Sequence, residues 1–161
     1  MLIFDTLDHE RYMAAALEEA KLALEAGDLP IGAVIVCDQN IISTGRNRIR
    51  TASNQLQHAE LSALLKQSPI VYERHDDCVI YTTVEPCVMC LGAIAMADIR
   101  HVVFGAADPD RGGTDMYGNV AYVRKEIHRY VGGIREAQCR ALIDAYEFRQ
   151  LAAPREAPGL P

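Results

Sequence analysis

The sequence CVIYTTV at residues 78–84 is followed directly by EPCVMCLGAIAM at residues 85–96, and HVVFG follows at residues 101–105. The first run is almost continuously apolar, which predicts a strand buried on both faces of a sheet. Pro86 lacks an N–H and has a fixed φ, so we expect it to begin a helix that ends at about Met96. Residues 101–105 are predicted to form the next strand. A strand, a crossover helix and a second strand imply parallel pairing, which is typical of an α/β fold.

The segments on either side complete this fold. Apolar residues with helical spacing predict helices over residues 8–26, 58–67 and about 135–150. Two β-branched runs at residues 31–37 and 41–45, joined by the polar turn 38–40, indicate a hairpin. Residues 50–57 and 106–119 are predicted loops, and residues 127–131 a short strand. We therefore expect a three-layer α/β/α sandwich with a mixed sheet of about five strands.

Length and charge limit the classes of function. The chain has 161 residues, half of them apolar, which predicts one domain over residues 1–150 and a flexible tail at 151–161. The formal net charge is -6, which disfavours a surface that binds phosphate backbones. The N-terminus has no secretory signal and no apolar run is long enough to span a bilayer, so we expect a cytoplasmic protein without membrane association.

The five cysteines fall into two groups. Cys37, Cys78 and Cys139 lie singly in apolar segments, where a buried thiol is ordinary, so we assign them to the core. Cys87 and Cys90 are three residues apart, and their side chains would lie on one face of a helical turn. Taken alone, such a pair could be a redox-active dithiol or half of a structural zinc site.

His58 allows a third interpretation of the cysteine pair. A helix N-terminus favours the thiolates that zinc binds, and an imidazole would complete three ligands, His58, Cys87 and Cys90. Structural zinc sites usually have four protein ligands, whereas a catalytic site keeps one position open for water. The sequence has no second Cys-x-x-Cys pair to close the tetrahedron. We therefore predict one catalytic Zn²⁺ per chain.

Glu60 stands two residues after His58, so the two side chains point in different directions from one helical turn. This makes Glu60 a poor fourth ligand but a suitable general base and acid beside a bound water. On its own, a glutamate at this position could equally be a solvated helix residue.

The pattern His58-x-Glu60 followed by Pro86-Cys87-x-x-Cys90 is that of zinc nucleobase deaminases. With PIGAV at residues 30–34, GRN at 45–47 and YTTVEPCVMCLGAI at 81–94, the sequence resembles the cytidine deaminase-like superfamily over about residues 24–105. It is similar to the branch that contains tRNA adenosine deaminases, guanine deaminases and fungal cytosine deaminase. The expected activity is hydrolytic replacement of an exocyclic amino group.

The resemblance also implies substrate contacts and an assembly. Asn47 matches the asparagine that contacts the substrate in that branch, although Asn is also common in plain turns. Backbone amides near Ala59 and Cys87 are implied to hold the base. Family members pair through their helices, so a homodimer is expected.

Three hypotheses about function follow, two of which name a substrate. We rank first a small nucleobase, nucleoside or related heterocycle, because the chain is acidic, has a short non-basic tail and departs in residues 106–119 from the small-residue loop of the tRNA enzymes. The second is a tRNA adenosine deaminase acting at the anticodon wobble position. This hypothesis is supported by three segments that resemble the tRNA enzymes, Glu85–Cys90, 103–106 and 128–130. The third, a non-catalytic zinc-binding partner subunit, ranks low because Glu60 is present.

Two features near the motif stay open. Glu85 is expected only to stabilise a helix start by its charge, so we place it outside the catalytic set. Residues 108–117 contain Gly112-Gly113 but lack the lysine of a phosphate loop. They could form a plain surface loop or a lid that faces the substrate.

Overall fold

The computed structural model describes residues 2–152. Seven helices and five strands follow one another as α1 (His9–Ala26), β1 (Gly32–Cys37), β2 (Asn40–Arg46), α2 (Ala59–Lys66), α3 (Ser68–Arg74), β3 (Cys78–Val84), α4 (Val88–Met96), β4 (His101–Ala106), α5 (Thr114–Asn119), α6 (Ala121–Glu126), β5 (Arg129–Val131) and α7 (Glu136–Ala152). Short 3-10 turns occupy Phe4–Thr6 and His75–Asp77. The predicted tail lies outside the described residues from position 153 onwards, and positions 151 and 152 extend α7.

The five strands form one mixed sheet in the order β2-β1-β3-β4-β5. β1 pairs antiparallel with β2 and β3, whereas β3–β4 and β4–β5 are parallel. The hairpin between β1 and β2 turns at Asp38 and Gln39, both with positive φ, as tight hairpin turns require. The predicted mixed sheet, its hairpin and its parallel crossover are confirmed.

Helices cover both faces of the sheet, which confirms the three-layer sandwich. Side chains alternate along β1, so Val34 and Val36 pack in the cluster that contains α1, whereas Ala33 and Ile35 pack with α2 and α4. Every residue of the central strand β3 is buried, as predicted for a strand covered on both sides. Cys37, Cys78 and Cys139 are buried free thiols, which confirms their assignment to the core.

Close packing brings α2 against the hairpin. A Cβ at Gly45 would overlap the carbonyl oxygen of Ala59 and lie 2.6 Å from the amide nitrogen of Ala63. Only glycine leaves room for the backbone of α2 to approach β2 this closely. This contact fixes the helix that follows His58.

The helices nearest the site begin later than predicted. α4 begins at Val88 rather than at Pro86, and Cys87 is its N-cap with an extended backbone. The reason is backbone pairing, because the Gly113 N–H donates to the Pro86 carbonyl and Cys87 forms an isolated β-bridge with Gly112. The predicted loop at 106–119 is also partly helical, since α5 begins at Thr114.

Candidate active site

Two helix starts meet at the metal-binding motif. His58 is the N-cap of α2 and Cys87 the N-cap of α4, while Cys90 lies in the first turn of α4. The Nδ1 atom of His58 is 3.6 Å from Sγ of Cys87 and 3.5 Å from Sγ of Cys90. All three candidate ligand atoms lie within 4.8 Å of one another. The structure thus brings together the three residues that the sequence predicts as ligands.

These distances fit a tetrahedral zinc ion. With Zn–S near 2.3 Å and Zn–N near 2.0–2.1 Å, tetrahedral angles separate the nitrogen and sulfur ligands by about 3.6 Å. Both observed N···S distances agree with this value. One imidazole and two thiols also form a donor set that binds zinc in preference to harder cations, which favour oxygen ligands. The site therefore fits zinc in both geometry and chemistry.

Hydrogen bonds among the ligands set their protonation. Among the protein groups alone, the pKa of Cys87 is lowered to about 4. The hydrogen bond from Cys90 is the largest cause, and the hydrogen bond and charge of His58 lower this pKa further. The same contact raises the pKa of Cys90, as does its burial. The hydrogen bond with Cys87 raises the pKa of His58. Cys87 is thus the more readily ionised thiol, a state that suits a metal ligand.

Glu60 lies beside the ligands in the first turn of α2. It is only 3% exposed, and burial raises the pKa of its carboxyl group to about 7. A hydrogen bond with Cys90 and the charges of Cys87 and His58 also act on it. The carboxyl group is therefore buried at the metal site rather than solvated on the helix surface.

Asn47 and Ala59 are the two residues that the sequence analysis proposes for substrate contact, and both are buried. Asn47 follows β2 and is 1% exposed, its Oδ1 accepting the Ile49 N–H at 3.1 Å. Its own N–H donates to the Ile31 carbonyl at 2.9 Å. Ala59 is the buried first residue of α2, between His58 and Glu60. Their contacts with substrate remain predictions.

Two buried carboxylates organise the loops around the site. Sequence reasoning missed Asp28 and expected Glu85 only to stabilise a helix start. Asp28 accepts the N–H groups of Arg50 and Thr51, at 2.8 and 3.1 Å, and the Thr51 hydroxyl at 2.6 Å. Glu85 accepts four hydrogen bonds from residues after β4, described below. The available signal for Asp28 was an acidic residue directly after the helix-ending Gly27, and for Glu85 an acidic residue between a buried strand and a proline.

The fold and the site together define a zinc-dependent deaminase. Residues 6–106 match the family model described as the cytidine and deoxycytidylate deaminase zinc-binding region, and the chain belongs to this family. It is an enzyme of the zinc-dependent deaminase class with zinc as its cofactor.

Individual relatives extend the comparison beyond that region. The chain is 34% identical over 151 residues to the tRNA-specific adenosine deaminase of Bacillus subtilis, covering 92% of this chain and 93% of the relative. A solved structure from work on tRNA:A34 deaminases at the wobble position has a TM-score of 0.74 and 32% identity, covering 82% of this chain and 98% of the other. The guanine deaminase of Nitrosomonas europaea has a TM-score of 0.71 and 25% identity over 88% of this chain and 86% of its own.

Within residues 2–152, no helix has the length and apolar character needed to cross a bilayer.

Proposed function

We propose that this deaminase converts adenosine to inosine at the wobble position of a tRNA anticodon, consuming water and releasing ammonia. The observation that carries the proposal is the extent of the similarity to the Bacillus subtilis tRNA-specific adenosine deaminase, which spans 92% of this chain. That span continues well past residue 106, where the match to the shared zinc-binding region ends. The relatives thus favour the second substrate hypothesis over the small substrate that the sequence analysis ranks first.

Exposed arginines beside the site support a nucleic-acid substrate. Arg48 lies at the start of a loop that ends at Gln57, one residue before His58. The Arg48 N–H donates to the Gln57 carbonyl at 2.9 Å and closes this loop. Arg111 lies on the loop that pairs with α4, its carbonyl accepting the Val88 N–H. Both side chains are exposed and form no ion pair with any residue in the described range 2–152. They are available to phosphate groups, which position nucleic acids without reading sequence.

The proposed chemistry assigns a role to each site residue. His58, Cys87 and Cys90 would hold the zinc ion, which when bound would supply a water of lowered pKa to the reaction. Glu60 takes a proton from water as the water oxygen bonds to C6 of adenine, and gives that proton to N1. It then takes the second proton from the new hydroxyl group and gives it to the 6-amino group as the C6–N bond breaks and ammonia leaves. Asn47 and the backbone N–H of Ala59 bind the flipped base and hold its amino carbon beside the metal. A tRNA substrate would also agree with the cytoplasmic location expected from the sequence.

The substrate is tested with a panel offered to the purified zinc protein. The panel contains a tRNA anticodon stem-loop with adenosine at the wobble position, the same stem-loop with guanosine there, and free adenine, guanine, cytosine and their nucleosides. We expect inosine and equimolar ammonia from the first stem-loop alone. Ammonia released from a free base or nucleoside, with no inosine formed in RNA, would return the small-molecule hypothesis to first place.

We further propose that two copies of the chain pair through α2, α3 and α4. Leu65, Tyr72 and Met96 line a groove between these helices and are 76%, 84% and 71% exposed. Apolar side chains this exposed and adjacent usually mark an interface. Sedimentation should give a dimer for the wild type and monomers for Leu65→Glu. Leu22→Glu, on the opposite layer, is the control and should stay dimeric; a monomeric wild type would contradict the assembly.

A further inference from the structure

Glu85 is a buried carboxylate that the deaminase chemistry does not use. It follows β3, is 5% exposed, and its own N–H continues the pairing with β4 by donating to the Ala106 carbonyl at 2.8 Å. Oε1 accepts from the Thr114 N–H at 2.8 Å, from the Thr114 hydroxyl at 2.6 Å and from the Tyr130 hydroxyl at 3.0 Å. Oε2 accepts the Asp108 N–H at 3.0 Å. An ionised carboxylate offers only acceptors, and all four neighbours are donors.

These bonds hold both ends of one loop segment. Asp108 and Thr114 lie six positions apart, and the chain between them folds back on Asp108. The Asp108 side chain accepts the N–H groups of Asp110 and Arg111 at 3.0 and 3.1 Å, and its carbonyl accepts the Gly112 N–H at 2.9 Å. The segment 108–114 is therefore a closed turn with its two ends tied to a single side chain.

The inner side of this turn runs along the first cysteine ligand. Gly113 donates to the Pro86 carbonyl at 2.9 Å and Val88 donates to the Arg111 carbonyl at 3.3 Å. Between these two bonds, Cys87 and Gly112 form a β-bridge. The backbone of Cys87 is thus fixed by hydrogen bonds to the loop on both sides of it.

The contact between the turn and Glu85 leaves no spare room. A Cβ at Gly112 would overlap the carboxyl carbon of Glu85 and the carbonyl oxygen of Asp108. This explains the glycine at position 112 by steric fit rather than by phosphate binding. This contact also favours a loop that is fixed in place over one that opens as a lid. Opening the loop would leave the buried carboxylate without its hydrogen-bond donors, which costs free energy.

We propose that Glu85 is a positioning residue that fixes segment 108–114 against the backbone of Cys87 and thereby holds the first thiolate of the metal site in place. The inference rests on the proposed ligand set and function. It differs from the sequence-based expectation for Glu85, since its side chain accepts from Asp108, Thr114 and Tyr130 and, within residues 2–152, from no group in the first turn of α4. Partners that orient a ligand in this way commonly affect metal affinity by about 10- to 100-fold.

The test is Glu85→Gln, which keeps the shape of the side chain. Its amide oxygen can replace Oε1 and accept from Thr114 and Tyr130. Its NH₂ group then faces the Asp108 N–H, and because both groups are donors, that hydrogen bond is lost. We expect hydrogen exchange at the Asp108 amide to accelerate about 10-fold or more, the loss expected for a charge-assisted bond, while exchange at Thr114 changes little. Zinc release to a chromogenic chelator should accelerate about 10-fold.

Two further variants separate this role from general destabilisation. Glu126→Gln alters another buried carboxylate, paired with Arg100 and Lys125, and should leave zinc release and Asp108 exchange at wild-type rates. Tyr130→Phe removes one donor without changing the charge and should accelerate zinc release by a smaller factor, which keeps the test valid if Glu85→Gln does not fold. Wild-type zinc release in both site variants would overturn the proposal. A wild-type protein that binds zinc but deaminates no stem-loop would refute the proposed function and still leave these rates to decide the role of Glu85.

Discussion

Replacing Glu60 with glutamine is expected to lower the deamination rate by about 10²- to 10⁴-fold, the usual contribution of a general acid and base, while one zinc ion per chain stays bound. Glutamine has nearly the same shape but cannot carry a proton from water to the ring nitrogen and the leaving amine. The three metal ligands are untouched, because Glu60 is not in the ligand set formed by His58, Cys87 and Cys90.

The measurement pairs turnover on the best substrate of the panel with elemental analysis of the same sample. Glu18→Gln is a suitable control, since Glu18 lies on an exposed face of α1 beside Lys21 and should keep full activity. A Glu60→Gln protein that turns over within 10-fold of the wild type would remove Glu60 from the chemistry. Loss of zinc from that variant would instead show that Glu60 is needed for metal binding.

The part of the fold predicted most closely is the unit from β3 to β4. Cys78–Val84 forms a strand with the predicted bounds, because a continuous apolar run between polar segments has few other ways to be buried. The helix start after it was misplaced by two residues, since the preference of Pro86 for a first helical position is weaker than the backbone pairing of residues 86–88 with the loop. That pairing joins segments more than twenty positions apart, and no local pattern indicates it.

The three helices that sequence reasoning missed are short. α3, α5 and α6 have 7, 6 and 6 residues, too few to display an apolar stripe over several turns. α5 begins at Thr114, where the backbone N–H is bound by the distant carboxylate of Glu85. Its start is therefore determined by tertiary contact, not by a local capping residue.

The candidate ligands were predictable because each chemical requirement shows in residue type and spacing. The supporting contacts were not, since Asp28, Gly45 and Glu85 act on partners 14 to 45 positions away. The ranking of substrates rested on a net charge of -6, which sums over the whole surface. Binding of a nucleic acid depends instead on cations near the site, and under the proposed function Arg48 and Arg111 are the candidates.

Replacing Cys87 with alanine is expected to abolish stoichiometric zinc binding and, with it, deamination. Two ligands remain, Cys90 and His58, and the loss should exceed the roughly 10- to 100-fold effect of a residue that only supports a ligand. The variant should also melt at a lower temperature than the zinc-loaded wild type, because a ligand bound only to the folded state adds its binding free energy to stability. Elemental analysis after dialysis and a thermal melt with and without added zinc measure both effects.

Cys139→Ala is the matched control, since Cys139 is a buried thiol in the α1–α7 layer, remote from the motif. It should lose some stability through the cavity it leaves but keep one zinc ion and its activity. Chelation of the wild type should reproduce the inactivity of Cys87→Ala, and added zinc should restore only the wild type. If Cys87→Ala kept a full equivalent of zinc after dialysis against chelator, the ion would have to be bound elsewhere. The fit of the two N···S distances to a tetrahedral ion would then be coincidental.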